Sequence, residues 1–173
     1  MSPTGDRRFP PALAALSEAA FDYDDGNGID YEPWGDFLTA EETTDWLRAW
    51  TGNSELDGDA FRVFGQDGTG GYAAFWRVRP ERELVDQPVV FFGSEGSLGV
   101  VASDLAGYLR VLADGVGPME AVDYPGQSAA PDPALLAVAE RYAPGARESA
   151  TDVVAAAGRE FPGFEDLVLG WCR

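Results

Sequence analysis

The stretch FGQDGTGGYAAFWRV, residues 64–78, places four glycines before an aromatic run, and it indicates which fold the chain adopts. A dinucleotide-binding loop needs a helix after its glycines, because the helix N-terminus holds the pyrophosphate. Here the glycines are followed by YAAFWRV, which has the alternating pattern of a strand and not of a helix. A Walker loop is excluded separately, because it needs a lysine and the chain has none. We therefore predict that residues 65–71 form a hairpin turn between two strands.

Three further β-rich runs flank this stretch. They are AFRVFG at 60–65, PVVFFG at 88–93 and LGVVAS at 98–103. Turn residues separate the runs, and GSEGS at 93–97 suits a tight hairpin. The runs together predict an antiparallel meander.

Helical patterns precede the meander. Residues 10–21, PPALAALSEAAF, predict a short first helix that begins at its prolines. Thr39 and Glu42 match a capping box, and the helix that they open should end at Gly52. The tryptophans of this second helix, Trp46 and Trp50, are predicted to face the core.

More helices follow the meander. Ser103 is predicted to cap a helix that ends at Gly115, Asp132 precedes Pro133 at the start of another, and a last apolar pattern covers about 148–160. Residues 117–133 are predicted to be a surface linker. The fold class is therefore α+β: one domain, 1–173, in which an antiparallel meander of about four or more strands packs with N- and C-terminal helices, the later ones on one face.

Composition excludes several chemistries. The chain of 173 residues has no histidine, no lysine and one cysteine, Cys172, so it contains no Ser-His-Asp triad, no P-loop lysine, no disulfide and no usual zinc site. No spacing among the acids selects a catalytic pair. No apolar run approaches the roughly 20 residues of a membrane helix, and no signal peptide is recognised. We predict a cytoplasmic, non-enzymatic protein without cofactors, catalytic residues or membrane contact.

Acidic residues are concentrated near the N-terminus. The net charge is −18, and residues 18–59 hold 13 of the 30 acids against a single base, Arg48. This charge repels phosphate backbones, so direct nucleic-acid binding is not expected. Two interpretations remain open for the acidic region: a solvated face that aids solubility, or a surface built to meet a basic protein partner.

The acidic loop FDYDDGNGIDYE, residues 21–32, partly matches an EF-hand loop. Aligning Gly26 with the glycine position puts Glu32 at the last ligand position, but Phe21 and Tyr23 then occupy the first and third, where they cannot bind calcium. We therefore predict no metal site. The hypothesis of a carboxylate hydrolase or sugar-binding protein would need two buried acids beside a pocket lined by Trp34 or Trp76.

Two segments, FRVFGQDGTGGYAAFWRV at 61–78 and QPVVFFGSEGSLGVVASDLAGYLRVLADG at 87–115, together resemble the SUKH superfamily. This superfamily includes the fungal cell-wall regulators of the Smi/Knr type and many bacterial immunity proteins. The resemblance covers about residues 60–115. The chain departs from the family in its inserted acidic segment and tryptophan helix, and its C-terminal third has no matching motif.

The resemblance implies an α+β domain without enzymatic activity, which in bacteria often neutralises a nuclease or deaminase toxin by binding it. Our prediction is an immunity protein whose exposed acids bind a basic toxin; the alternative is a regulatory or scaffolding module that binds an endogenous signalling or cell-wall-related partner. The predicted partner-binding residues are Asp22, Asp24, Asp25, Asp30, Glu32, Glu41, Glu42 and Asp67.

Overall fold

The computed structural model describes residues 7–22, 25, 28–127 and 129–173. Within them the chain forms a five-stranded antiparallel sheet and seven helices, which confirms the α+β fold class. Asp24 lies outside the described residues, as does most of the glycine-containing part of the predicted acidic loop. None of the helices in the described ranges is long and apolar enough to cross a bilayer.

The sheet is a meander in which every strand pairs with its neighbours in sequence. Its strands are β1 (Glu32–Pro33), β2 (Phe61–Gln66), β3 (Tyr72–Trp76), β4 (Val89–Phe92) and β5 (Leu98–Ala102). The turn between β2 and β3 and the tight hairpin between β4 and β5 are confirmed. The short edge strand β1 was not predicted, because two residues are too few to show an alternating pattern.

The helices surround this sheet. They are α1 (Pro11–Ser17), α2 (Ala40–Thr51), α3 (Leu105–Ala113), α4 (Pro118–Asp123), α5 (Pro133–Tyr142), α6 (Ala150–Glu160) and α7 (Phe164–Leu169). The capping box of α2 is confirmed, and Gly52 ends this helix in the left-handed region with φ of 67°. Asp132 caps α5 as predicted, by accepting from the amides of Ala134 and Leu135.

Two predictions for the helical part of the chain were wrong, and one helix was not predicted. The cap of α3 is Asp104, whose carboxylate accepts from the Gly107 amide at 2.7 Å, and not Ser103. The segment 117–133 is not only a linker, because α4 begins within it at Pro118. The helix α7 was missed, since six residues are too short for a 3.6-residue period to stand out.

Both faces of the sheet are covered, so the prediction that the later helices pack on one face was also wrong. Successive residues of β3 and β4 enter opposite clusters: Phe75 and Phe91 pack with α1, α3 and α5, whereas Trp76 and Phe92 pack with α2 and α7. The helix α6 packs against the edge strand β5 and contributes Val153 to one cluster and Ala157 to the other. The strands are therefore buried almost throughout, as expected for a sheet with helices on both sides.

Candidate functional site

The acidic segment is held along the β1 edge of the sheet by backbone hydrogen bonds. The two residues of β1 pair with Gln66 and Gly65 of β2. Beyond β1, the Trp34 amide donates to Phe64 O at 3.2 Å and the Leu38 amide donates to Val63 O at 3.1 Å. Residues 32–34 and Leu38 are therefore bonded to β2, and the segment between them connects this edge of the sheet to the capping residue of α2.

The segment at this edge and the first turns of α2 that follow it carry exposed carboxylates. We call this surface the acidic edge and define it by its exposed acids on the segment 32–45: Glu32, Asp36, Glu41, Glu42 and Asp45. Asp36 and Asp45 were not among the predicted site residues, although the charge count of the region includes them. Acids and a proline on an exposed edge also prevent pairing with further strands, so a purely protective role gives the same composition.

Two of these carboxylates have structural partners. The Gln66 side-chain amide donates to Glu32 Oε2 at 3.0 Å. Glu42 accepts from the Thr39 amide at 2.9 Å, and this bond lowers the pKa of Glu42 below its usual value. Both acids remain exposed, so these contacts orient the carboxylates without removing them from the surface. Glu41 and Asp45 make no side-chain hydrogen bond to any residue that the structure describes.

Three more of the predicted acids, Asp22, Asp25 and Asp30, lie in the loop before β1. Its base is closed by the Ile29 amide, which donates to Asp22 O at 3.0 Å. Asp22 and Asp25 are exposed, and Asp25 has a positive φ of 50°. Asp30 is half-buried, and its Oδ1 accepts from the Gly68 amide at 2.6 Å, which ties the loop to the turn between β2 and β3.

Asp67 is not an exposed contact residue, which corrects the prediction for this position. Only 1% of its surface is accessible. Its Oδ1 accepts from the Thr69 amide at 3.0 Å, from Thr69 Oγ1 at 2.8 Å and from the Gly71 amide at 2.8 Å. Asp67 therefore holds the turn in shape, and aspartate is common in turns for this reason.

A further acid, Glu120 of α4, was missed by the sequence analysis. Burial raises the pKa of Glu120 above its usual value, and the negative charges of Asp30, Asp67 and Asp123 raise it further. Neither Glu120 Oε2 nor Asp67 Oδ2 has a hydrogen-bond partner among the described residues. No sequence pattern points to this grouping, because Glu120 lies more than 50 positions after Asp67 and is brought near it only by tertiary packing.

The two tryptophans named for a sugar-binding or hydrolytic pocket pack against other aromatic side chains. Trp76 is buried between Phe161 and Phe164, with ring centroids 5.6 Å and 4.8 Å away. Trp34 packs edge-on against Tyr72 at 5.2 Å. Within the described residues, no group of three or more potential metal-ligating side chains is arranged to hold an ion.

Comparison with known proteins adds no relative: no family model, curated protein or solved structure matches the chain. The resemblance to the SUKH superfamily therefore stays a prediction from residues 60–115. The candidate site rests on the geometry and charge of the acidic edge alone.

Proposed function

We propose that this chain is a protein-binding module of the immunity type, which neutralises a basic, nucleic-acid-directed toxin through its acidic edge. The observation that supports the proposal is the position of the acidic segment, which is hydrogen-bonded along the exposed edge of the sheet with its carboxylates at the surface. An acidic surface of fixed geometry can occupy a groove that normally binds the phosphates of a nucleic acid.

Fixed geometry matters because binding a flexible acidic loop would cost conformational entropy. Glu41 and Asp45 are one helical turn apart on α2, so their carboxylates point from the same face of a capped helix. Glu32 is held by Gln66 of the neighbouring strand. Preorganised charges lose less entropy on association, and complementary fields speed the encounter of the two proteins.

Few positive charges lie near the acidic edge to weaken its negative electrostatic potential. Arg48 is the single base in residues 18–59, and its Nε donates to Leu56 O at 2.7 Å. From outside this range, Arg7 also reaches the segment, where its Nη1 donates to Leu38 O at 3.1 Å. A basic partner would therefore meet a surface that is mostly negative. Its affinity should fall steeply with salt, because exposed charges are screened over about 8–10 Å at physiological ionic strength.

The test begins with capture of partners on the tagged chain from native lysate, at low and high salt, with identification by mass spectrometry. A captured nuclease or deaminase is then purified and assayed with increasing amounts of the chain. The expected result is inhibition that saturates near one chain per toxin and weakens at high salt. An acidic or housekeeping partner, without inhibition of any nucleic-acid enzyme, would support the regulatory alternative and reject the immunity proposal.

A charge-reversal pair with a matched control locates the surface. Glu41→Arg with Asp45→Arg reverses two acids of the acidic edge, whereas Glu140→Arg with Glu165→Arg reverses two exposed acids on α5 and α7. Glu41 and Glu165 each lie in the first turn of a helix, so both pairs replace an acid that interacts favourably with a helix dipole. Inhibition should be lost in the first pair alone; equal inhibition by both pairs would contradict the assigned surface.

A further inference from the structure

A group of arginines occupies the connection between β3 and β4. Arg77, Arg79 and Arg82 are three of the 12 basic residues of a chain whose net charge is −18, and they fall within six positions. With Pro80, Glu81 and Gln87 they line a cleft of about 330 Å³. We call it the arginine cleft. It is formed by a different part of the chain from the acidic edge.

The shape of the arginine cleft is fixed by a buried amide. The Gln87 side chain is 2% exposed. Its Oε1 accepts from the Arg79 amide at 2.9 Å, and its Nε2 donates to Arg79 O at 2.7 Å and to Arg82 O at 3.3 Å. One buried side chain thus ties together both ends of the turn that carries the arginines, so the cleft does not depend on a ligand for its form.

Arg79 anchors this connection to the rest of the fold. Its Nη1 donates to Ser103 O at 2.8 Å and to Asp86 O, and its Nη2 pairs with Glu160 of α6. Its guanidinium also lies 5.3 Å from the centre of the Phe161 ring. Arg79 is therefore a positioning residue, and Glu160 balances its charge.

Arg82 has a different environment. It is exposed, and its guanidinium makes no hydrogen bond or ion pair with any part of the chain that the structure describes. The preceding residue, Glu81, has φ of 60°, in the left-handed region that residues with a side chain seldom adopt. Arg82 and Arg77, on either side of this turn, both line the cleft. Arg77 Nη1 donates to Asp59 O at 3.3 Å.

The charges of the cleft define the ligand that fits it. Three arginines and one acid, Glu81, line the cleft, and Glu160 pairs with Arg79. The same connection also carries two exposed acids outside the lining, Glu83 and Asp86, so the positive charge is confined to the guanidinium groups of the cleft itself. A polyanion would place most of its phosphates against the surrounding acids and be repelled. A compact anion would interact mainly with the nearby guanidinium groups, because their planar N–H donors match the geometry of phosphate oxygens.

We propose that the arginine cleft binds the phosphate group of a small phosphorylated molecule, with Arg82 as the principal contact and Gln87 and Arg79 as positioning residues. The volume lies at the lower end of the range of about 300–1,000 Å³ that small-molecule sites occupy, which suits a compound of the size of a sugar phosphate. This site is independent of the proposed toxin interface, so either proposal can fail without the other.

The experiment is a titration of the ¹⁵N-labelled full chain in low salt, followed by amide chemical shifts. The ligands are inorganic phosphate, ribose 5-phosphate, ribose, citrate and a short single-stranded oligonucleotide. We expect saturable shifts confined to residues 77–87 with phosphate and ribose 5-phosphate, and none with ribose. Arg82→Ala should weaken this binding on the order of tenfold, because a hydrogen-bonded charge is lost. Arg141→Ala, which removes one exposed positive charge from α5, is the matched control and should bind as the wild type does.

Two outcomes would show that the arginine cleft is not a phosphate site: no saturable shifts with phosphate or ribose 5-phosphate, or equal loss of affinity in Arg82→Ala and Arg141→Ala. Two others would show that it does not select small phosphates: citrate binding as tightly as ribose 5-phosphate, or the oligonucleotide binding more tightly than either phosphate ligand. Each of these outcomes would overturn the proposal. Arg82 is exposed, and its guanidinium makes no hydrogen bond or ion pair within the described ranges of the chain. Its replacement should therefore leave the thermal unfolding midpoint unchanged, which separates loss of binding from loss of folding.

Discussion

Replacing Asp67 tests whether the glycine-rich stretch is a turn held by one buried carboxylate. Asp67→Ala removes the acceptor of three hydrogen bonds, two from Thr69 and one from the buried Gly71 amide. A net contribution of about 1 kcal/mol for each bond gives a loss of about 3 kcal/mol in the free energy of unfolding. For a domain of this size the midpoint of thermal unfolding should fall by about 6–12 °C.

Asp67→Asn is the matched comparison, because asparagine keeps an acceptor at the Oδ1 position. It also replaces Oδ2, a buried carboxylate oxygen without a hydrogen-bond partner among the described residues, by a neutral amide. The loss in the free energy of unfolding should therefore be smaller, about 1 kcal/mol, since the three donors keep a partner and a charge near Asp30 and Glu120 is removed.

Both variants are measured by urea unfolding, followed by tryptophan fluorescence, and by thermal unfolding, followed by circular dichroism. The order of stability should be wild type, then Asp67→Asn, then Asp67→Ala. An alanine variant within about 0.5 kcal/mol of the wild type would refute the assignment of the turn to Asp67, because ordinary surface substitutions fall in that range. Equal losses in the two variants would show that the charge of Asp67, and not its acceptor geometry, stabilises the turn.

Three further predictions follow from particular contacts. Because the pKa of Glu120 is raised, the folded chain binds the proton of this carboxyl more tightly than the unfolded chain does. The wild type should therefore lose stability relative to Glu120→Gln as the pH rises from about 4 to about 8. Urea unfolding of both proteins at each pH measures this difference. A constant difference across this range would contradict the raised pKa. Thr39→Ala removes the cap of α2 and should cost about 1 kcal/mol, measured in the same way, and no loss would mean that the capping box is not needed. Gly65→Ala would drive a methyl group into the Tyr31 ring and hydroxyl and should cost about 1–3 kcal/mol, whereas Gly35→Ala, which has open space, should be tolerated. Partial recovery in the double variant with Tyr31→Phe would support the clash, and equal losses at the two glycines would reject it.

Much of the fold was predictable because local chemistry specifies it. The alternation of residues 72–76 and the glycines before them indicate a strand after a turn, and both are present. The capping box at Thr39 and the Asp132-Pro133 pair mark helix starts by bonds within a few residues of each other. Such signals can be found in the sequence because the interacting groups are neighbours in the chain.

The candidate site was only partly predictable. The charge count identified the acidic region, but residue type could not tell an acid that is buried in a turn, Asp67, from one that is exposed on a helix, Glu41. Both are acids in polar surroundings, and their difference lies in the backbone amides that surround each carboxylate. In the same way, the residues around Arg82 show no binding motif, because the cleft is shaped by Gln87 from the far end of the connection.

The residues alone indicated the α+β class, the order of the four main strands and of most helices, the strong negative charge and the absence of histidine and lysine chemistry. Three features became visible only in the folded chain: helices cover both faces of the sheet, the acidic segment is bonded at its edge, and Glu120 lies near Asp30 and Asp67. This difference follows from the range over which the forces act. Propensity, capping and turn chemistry act over a few residues, whereas burial and electrostatic interactions act between groups that meet only when the whole chain has folded.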